Sequence, residues 1–204
     1  MSKKERTTQF ILEKVAPIFN KNGYVATSMG KVSSITGLSK GSVYSNFDSK
    51  EDLAIKAFNY NIKKVMGYMK THLDKANSAL DKLKAITNFY RKYYDYTITF
   101  GGCPLLNVGV DANYQNPALL ARVRHVIKKL ESSIARIIEE GVVQGEFKPE
   151  IMPKTEVLAR SIFASLEGAI YMSVTLENTN YLLEMVDQID RMIENELVLV
   201  PKST

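Results

Sequence analysis

Residues 27–53 constrain this 204-residue chain more than any other stretch. In TSMGKVSSITGLSKGSVYSNFDSKEDL, Thr27 or Ser28 can cap a first helix, because a side-chain hydroxyl accepts from a backbone N–H left unpaired at a helix start. Val32 and Ile35 then share one face. Gly37 ends that helix, since glycine enters the left-handed conformation without a steric penalty. Ser39 caps the next, whose inward residues are Val43 and Phe47, four apart. Lys40, Ser42, Tyr44, Ser45 and Asn46 are left outward: a cation, short donors and a phenol, with no large aliphatic. A helix of about seven residues cannot stabilise itself in water. It needs neighbours on one side and offers a polar surface on the other. The arrangement is that of a helix-turn-helix, whose second helix enters the major groove of DNA.

The run GLSKGSVYSNFDSKEDL at 37–53, with Phe19, Gly23, Tyr24 and Thr27 ahead of it, resembles the signature of the TetR family of transcriptional regulators. The match in order and spacing covers residues 7–55; the rest of the chain is similar to the family in length and helical layout. Gly30, inside the first motif helix, and Ser33, where a small alanine is usual, depart from the pattern without removing a contact group. Gly30 costs up to about 1 kcal/mol of helix stability. The resemblance implies that Thr27, Tyr44 and Lys50 touch phosphates, while Lys40, Gly41 and Ser42 lie nearest the bases. With Ser28, Ser39, Ser45 and Asn46 these make the expected DNA-binding set.

Charge follows the motif. Residues 1–50 carry eight Lys/Arg against three Asp/Glu, a net +5, and the remainder holds 19 of each sign. The whole formal charge of the chain therefore sits on the helix-turn-helix end, as an electrostatic footprint for phosphates. One cysteine and two histidines exclude a disulfide framework and a zinc finger, and suit a reducing cytoplasm. His72 and His125 have no ligand spacing, so neither a metal nor a cofactor is expected. No signal peptide and no apolar run of membrane-spanning length is read, and no membrane partner is expected.

Helical periodicity runs through the whole chain and no strand pattern interrupts it. The expected fold is all-α: a DNA-binding domain of three helices over residues 1–50, and a ligand-binding and dimerisation bundle over 51–204. A first helix spans Lys3 to Asn22, with Ile11, Val15, Ile18 and Phe19 inward, Pro17 as a kink and Gly23 as its stop. Ser49 caps a longer helix to about Lys75, which belongs to both domains. Ser78 to Thr99 reads as one helix, Gly101-Gly102 breaks it, and Pro104 opens the next. Long helices follow from Pro117 to about Gln144, Glu156 to Glu177 and Tyr181 to Leu199.

The last two helices mix large and small apolar residues. A surplus face there, with Leu166, Ala169, Met185, Ile189 and Met192, can pack against a second copy as a four-helix bundle, and the resemblance implies such a homodimer. Phe89, Tyr93, Tyr96 and Phe100 follow helical spacing on one face, and with Phe163 and Tyr171 they can line a pocket for a small apolar or aromatic ligand. Cys103 precedes Pro104 at a helix start, where the dipole lowers a thiol's pKa. It is either a buried, inert residue, a pocket-lining one, or a sensor of electrophiles or oxidants, as the Gly-Cys junction of some family members implies.

Two functional classes meet these residues. One is a ligand-responsive DNA-binding regulator, a repressor that leaves a palindromic operator of double-stranded DNA when a small molecule binds; Cys103 would make it a thiol-based variant. The other is a helical small-molecule-binding protein or enzyme with no DNA role. The enzyme reading lacks a nucleophile–base–orienter set, a metal cluster and a phosphate loop. A nucleoid-type protein without sequence preference is a third, weaker reading. The expectation is a regulator rather than an enzyme.

Overall fold

The computed structural model describes residues 1–199, which fold into ten α-helices. Among these residues no strand forms; Phe147 and Val198 make one isolated antiparallel bridge. The fold is all-α. By internal contact the chain divides into two compact units, one of residues 1–66 and 97–126, the other of residues 67–96 and 127 onward.

The first unit begins with α1 (Lys3–Ala26). Ser2 and Glu5 close a capping box at its start, each side chain accepting from the other's backbone N–H. Ile11, Val15, Ala16 and Phe19 face the core. The sequence places a kink at Pro17, but the helical dihedrals run through it and break at Gly23 (φ 81°, ψ 170°). Proline removes one backbone bond and can be absorbed; a residue in the mirror-β region cannot stay helical. Next come α2 (Met29–Thr36), α3 (Lys40–Tyr44) and α4 (Lys50–Leu73). Leu53, Ala57 and Phe58 of α4 are buried, and the Asn61 amide donates to the Ala16 carbonyl of α1 at 2.9 Å. Helix α7 (Pro104–Ala112) lies against α1 with Leu105, Val108 and Ala112 buried. Pro104 is the first residue of α7, as the sequence predicts.

The expected single helix from Ser78 to Thr99 is two: α5 (Ala79–Arg91), in the second unit, and α6 (Tyr93–Phe100), which begins there. They join at Lys92, whose N–H reaches back only three residues to the Phe89 carbonyl (3.1 Å), a tighter turn than the α-helix sustains. Helix α8 (Pro117–Val143) ends before Gly145 (φ 76°), and Glu146 then folds back so that its carboxylate accepts from the N–H groups of Ala79 and Leu80, both at 3.0 Å. Those are unpaired donors at the start of α5, satisfied from another helix's exit. Helices α9 (Thr155–Thr175) and α10 (Asn180–Met192) pack on each other, and α10 also on α5. The stretch 149–175 is long and apolar enough to cross a membrane by composition, which the sequence reading did not anticipate. Its apolarity has a local cause: one side of α9 is core, with Ile162, Phe163, Leu166 and Ile170 buried, and a second side is also apolar.

Candidate nucleic-acid interface

The helix-turn-helix is built from caps. Ser28 is extended and accepts from the Lys31 N–H at 3.1 Å, starting α2. Gly37 ends it in the left-handed region (φ 70°), its N–H on the Ser33 carbonyl. Thr36, nearly buried, donates its hydroxyl to the Val32 carbonyl and accepts from the Leu38 N–H. Ser39 then accepts from the Ser42 N–H at 3.1 Å and starts α3. Four hydroxyl-bearing or glycine positions thus fix a turn of three residues, Gly37, Leu38 and Ser39, between the helices.

Helix α3 is five residues long and is anchored from beneath by Val43 and Phe47, which are buried. Thr8 of α1 ties it laterally by donating to Asn46 Oδ1 at 3.1 Å, while the Asn46 amide donates to the Ser42 carbonyl at 2.9 Å. Lys40, Gly41, Tyr44 and Ser45 are exposed on its outer side, and Ser42 and Asn46 are half-buried. A Cβ added at Gly41 would meet only Ser39 Oγ, at 3.9 Å. Nothing within the chain requires a glycine there.

The remaining DNA-binding candidates are placed differently. Ser28 and Ser39 are exposed, each already accepting as a cap. Lys50 is the first residue of α4 and its ammonium lies 4.3 Å from the centre of the Tyr24 ring. Thr27, for which the resemblance implied a phosphate contact, is fully buried and its hydroxyl donates to the Gly23 carbonyl at 2.8 Å. Its side chain holds the α1–α2 junction from inside, so the hydroxyl offered at this corner is that of Ser28. The Tyr24 ring beneath Lys50 went unread in the sequence; an aromatic beside the glycine that breaks α1 was the available signal.

The ligand candidates do not gather into one site within either unit. Phe89, Tyr93 and Tyr96 belong to the second, where their rings pack on one another: Phe89 and Tyr93 are 5.1 Å apart, Tyr93 and Tyr96 stack at 5.5 Å, and Tyr68 meets Tyr96 edge-on at 5.4 Å. Phe163 is buried on α9, whereas Tyr171 is 54% exposed. Phe100 and Cys103 belong to the first unit. Lys64 lies over the Phe100 ring at 5.5 Å. Cys103, 2% exposed, stands buried at the head of α7. Of the dimer candidates, Leu166, Ala169 and Ile189 are buried inside their own unit, and Met185 and Met192 are half-exposed. The exposed apolar side of α9 is one step round the helix: Ala164, Gly168, Tyr171 and Met172. The three- and four-residue spacing fits both sides of that helix, which is why periodicity chose the inner one.

Two segments of the chain match known protein families. Residues 11–57 match the bacterial regulatory proteins of the tetR family, and residues 79–189 match the tetracyclin repressor-like C-terminal domain. The crystal structure of a TetR transcriptional regulator from Chloroflexus aurantiacus is 32% identical, covers 98% of this chain and all of that one, and superposes with a TM-score of 0.90. The helix-turn-helix regulator YxaF of Bacillus subtilis is 24% identical over 96% of this chain and its own full length, and the transcriptional repressor DhaR of Mycobacterium sp. strain GP1 is 21% identical over 79% of each. With a family match to more than half of its residues, this chain belongs to the TetR family of DNA-binding transcriptional regulators, not to a family of enzymes.

Proposed function

We propose that this protein is a cytoplasmic repressor that binds a near-palindromic operator as a homodimer and leaves it when a small apolar or aromatic ligand binds the second unit. The observation that carries the reading is the outer side of α3, where Lys40, Gly41, Tyr44 and Ser45 are exposed and the glycine has no role in the chain's own packing. A glycine in a helix costs up to about 1 kcal/mol relative to alanine, and close approach of another molecule's backbone or base edge offsets that cost. Lys40, Gly41 and Ser42 then meet the bases, and Ser28, Tyr44 and Lys50 the phosphates. The two recognition helices of a dimer enter major grooves about 34–36 Å apart.

The dimer surface we propose is the outer side of α9, continued by Met185 and Met192 on α10. A Cβ at Gly168 would meet nothing within 4 Å, so this glycine too is unexplained by the chain alone and suits a closely approaching partner helix. The name of DhaR, a repressor, supports the sign of regulation. The aromatic rings of Phe89, Tyr93 and Tyr96 are the ligand-responsive element we favour, since rings that pack on each other can part for an apolar guest. Such a guest shifts the DNA-binding equilibrium only by its differential affinity for the two states.

The test is binding to a duplex recovered by the protein from a randomised pool, followed by anisotropy at rising salt. Contact with 6–10 phosphates weakens binding by about 10³–10⁵ between 50 and 200 mM. An affinity indifferent to salt, or recovery of duplexes without a shared sequence, sinks the operator reading. Sedimentation of the free protein as a monomer at micromolar concentration sinks the dimer.

A further inference from the structure

At Gly23, α1 leaves helical dihedrals and then resumes for one turn. In an uninterrupted helix the N–H of Tyr24 would bond the carbonyl of Asn20, four residues back. The break releases both groups, and α7 answers both. Asp111 Oδ2 accepts from the Tyr24 N–H at 2.5 Å, and the Asn107 amide donates to the Asn20 carbonyl at 3.0 Å. Asn107 and Asp111 are four residues apart on one face of α7, the same spacing as Asn20 and Tyr24 on α1, so the two helices meet in register.

The backbone around this contact is shaped to admit it. A Cβ on Gly23 would lie 2.5 Å from Asp111 Oδ1, and one on Gly102 would collide with the Asn107 amide. Asn20 itself, 2% exposed, donates to the carbonyls of Phe100 and Gly102, both at 2.9 Å, and Asn107 donates also to Gly101 at 2.8 Å. The turn before α7 is thereby tied to the same point of α1. On the other side of the break, Tyr24 carries Lys50 on its ring, and Thr27 donates to the Gly23 carbonyl immediately before the Ser28 cap of α2.

We propose that Asn107 and Asp111, remote from the DNA-reading surface, are positioning residues for operator contact. They hold α1 open at Gly23 and, through Tyr24 and Thr27, fix Lys50 and the start of α2 where phosphates are met. Without the clamp, Tyr24 N–H and Asn20 C=O can bond each other, the last turn of α1 re-forms, and the Tyr24 ring moves from beneath Lys50. The inference rests on the operator reading given above and adds to it the residues that set the geometry of the contact.

The experiment compares Asp111→Ala, Asp111→Asn, Asn107→Ala and Lys50→Ala on the duplex that the wild-type protein recovers from a randomised pool. Asn61→Ala is the control, because it removes another buried amide that holds α1, ahead of the break. Asp111→Ala is expected to bind at least about tenfold more weakly, with a salt slope shallower by about one, as Lys50→Ala is. A variant carrying both Asp111→Ala and Lys50→Ala should lose less than the two single losses combined, as residues acting through one contact do. Asp111→Asn keeps an acceptor for Tyr24 and should stay within about threefold of wild type. Asn61→Ala should lower the melting temperature and keep the slope. Amide exchange at Tyr24 should accelerate in Asp111→Ala and not in Asn61→Ala. If Asp111→Ala does not fold, Asn107→Ala carries the same comparison, with a smaller loss and the same change of slope. An unchanged slope in the folded variants, or strict additivity with Lys50→Ala, overturns the proposal. Failure of the wild type to recover any duplex overturns the operator reading along with it, whereas equal binding by wild type and Asp111→Ala overturns this inference alone.

Discussion

In the unit that carries the helix-turn-helix, helices are joined by amides and one carboxylate acting on backbone groups: Asn61 on Ala16, Asn20 on Phe100 and Gly102, Asn107 on Asn20, Asp111 on Tyr24. In the other unit, beside the Glu146 carboxylate on the N–H groups of Ala79 and Leu80, they are joined by ion pairs. Lys82 meets Glu140 at 2.7 Å, Lys84 meets Glu194 at 2.6 Å, and Arg91 reaches Asp187 and Asp190 at 2.6 and 2.7 Å. The difference follows from what each surface has to keep. A cation paired with a carboxylate adds little to the field that draws in a polyanion. The exposed lysines of the first unit, Lys31 and Lys40 among them, enter no ion pair among the described residues. Where a lysine there must be oriented, an aromatic ring does it: Lys50 over Tyr24, Lys64 over Tyr60 and Phe100. A ring face attracts a cation through its quadrupole and leaves the charge in place. Lys56, paired with Asp52 one turn away, is the exception.

The largest test of that contrast is charge reversal in each unit. Lys40→Glu should weaken duplex binding by about 10²-fold, roughly 2.7 kcal/mol, and leave the melting temperature nearly unchanged. Lys82→Glu puts a carboxylate opposite Glu140; the pair is part-exposed, so a stability loss of about 0.5–1 kcal/mol is expected, with duplex affinity intact. Calorimetry and anisotropy on the same two proteins would separate the outcomes. A large stability loss in Lys40→Glu, or a binding loss in Lys82→Glu, would mean that both units use charge in the same way.

Two glycines sharpen the contrast at smaller magnitude. Gly141, buried in α8, lies so close to the Phe147 ring that an added Cβ would overlap it, with the Ala79 Cβ at 2.9 Å. Phe147 is itself fully buried. Overpacking costs about 1–3 kcal/mol and outweighs the roughly 1 kcal/mol that alanine adds to a helix. Gly141→Ala should therefore lose stability, by about 1–2 kcal/mol at most, and bind duplex normally. Gly41 meets no such neighbour. Gly41→Ala should be as stable as wild type or up to about 1 kcal/mol more so, and bind duplex more weakly. Urea melts and titrations suffice, and a Gly41→Ala protein that binds as well as wild type removes the close-approach argument for α3.

Much of this was legible in the residues because it is local. The caps at Ser28 and Ser39, the left-handed Gly37, and the inward Val43 and Phe47 depend on neighbours within a few positions, and each stands where the spacing predicts. What was not legible depends on distant partners. Thr27 reads as a surface hydroxyl until the broken end of α1 supplies the carbonyl it bonds. The continuous pattern of 78–99 hides the joint at Lys92, because an aromatic run fits one helix or two equally well. Leu166 and Ile189 obey a bundle spacing that cannot say which side of the helix faces its own unit. Asn107 and Asp111 left a faint signal: two polar residues, four apart, in an otherwise apolar α7. Polar groups at a helical spacing on a packed face need partners, and the partner here is a helix 87 positions away in sequence.

The smallest effect is the most specific to the second unit. Lys84 and Glu194 are 2.6 Å apart with side chains 40% and 51% exposed, so solvent screens most of the attraction. The hydrogen bond to Glu194 raises the Lys84 pKa above its ordinary value, with the charges of Glu194, Asp190 and Asp81 adding to it and partial burial opposing. A lysine whose pKa is raised by folding contributes stability that is whole below its unfolded value, near 10.4, and that disappears as pH rises through the folded value. Lys84→Met keeps the length of the side chain and removes the charge. Wild type should exceed it by a few tenths of a kcal/mol at pH 7–9, and the difference should shrink as pH rises beyond the unfolded value, about 10.4. The measurement is a set of urea midpoints for both proteins across that range. A difference that widened with pH would have the wrong sign for a paired lysine, and would leave packing of the methylene stem, which does not titrate, as the way α5 is held to the turn that follows α10.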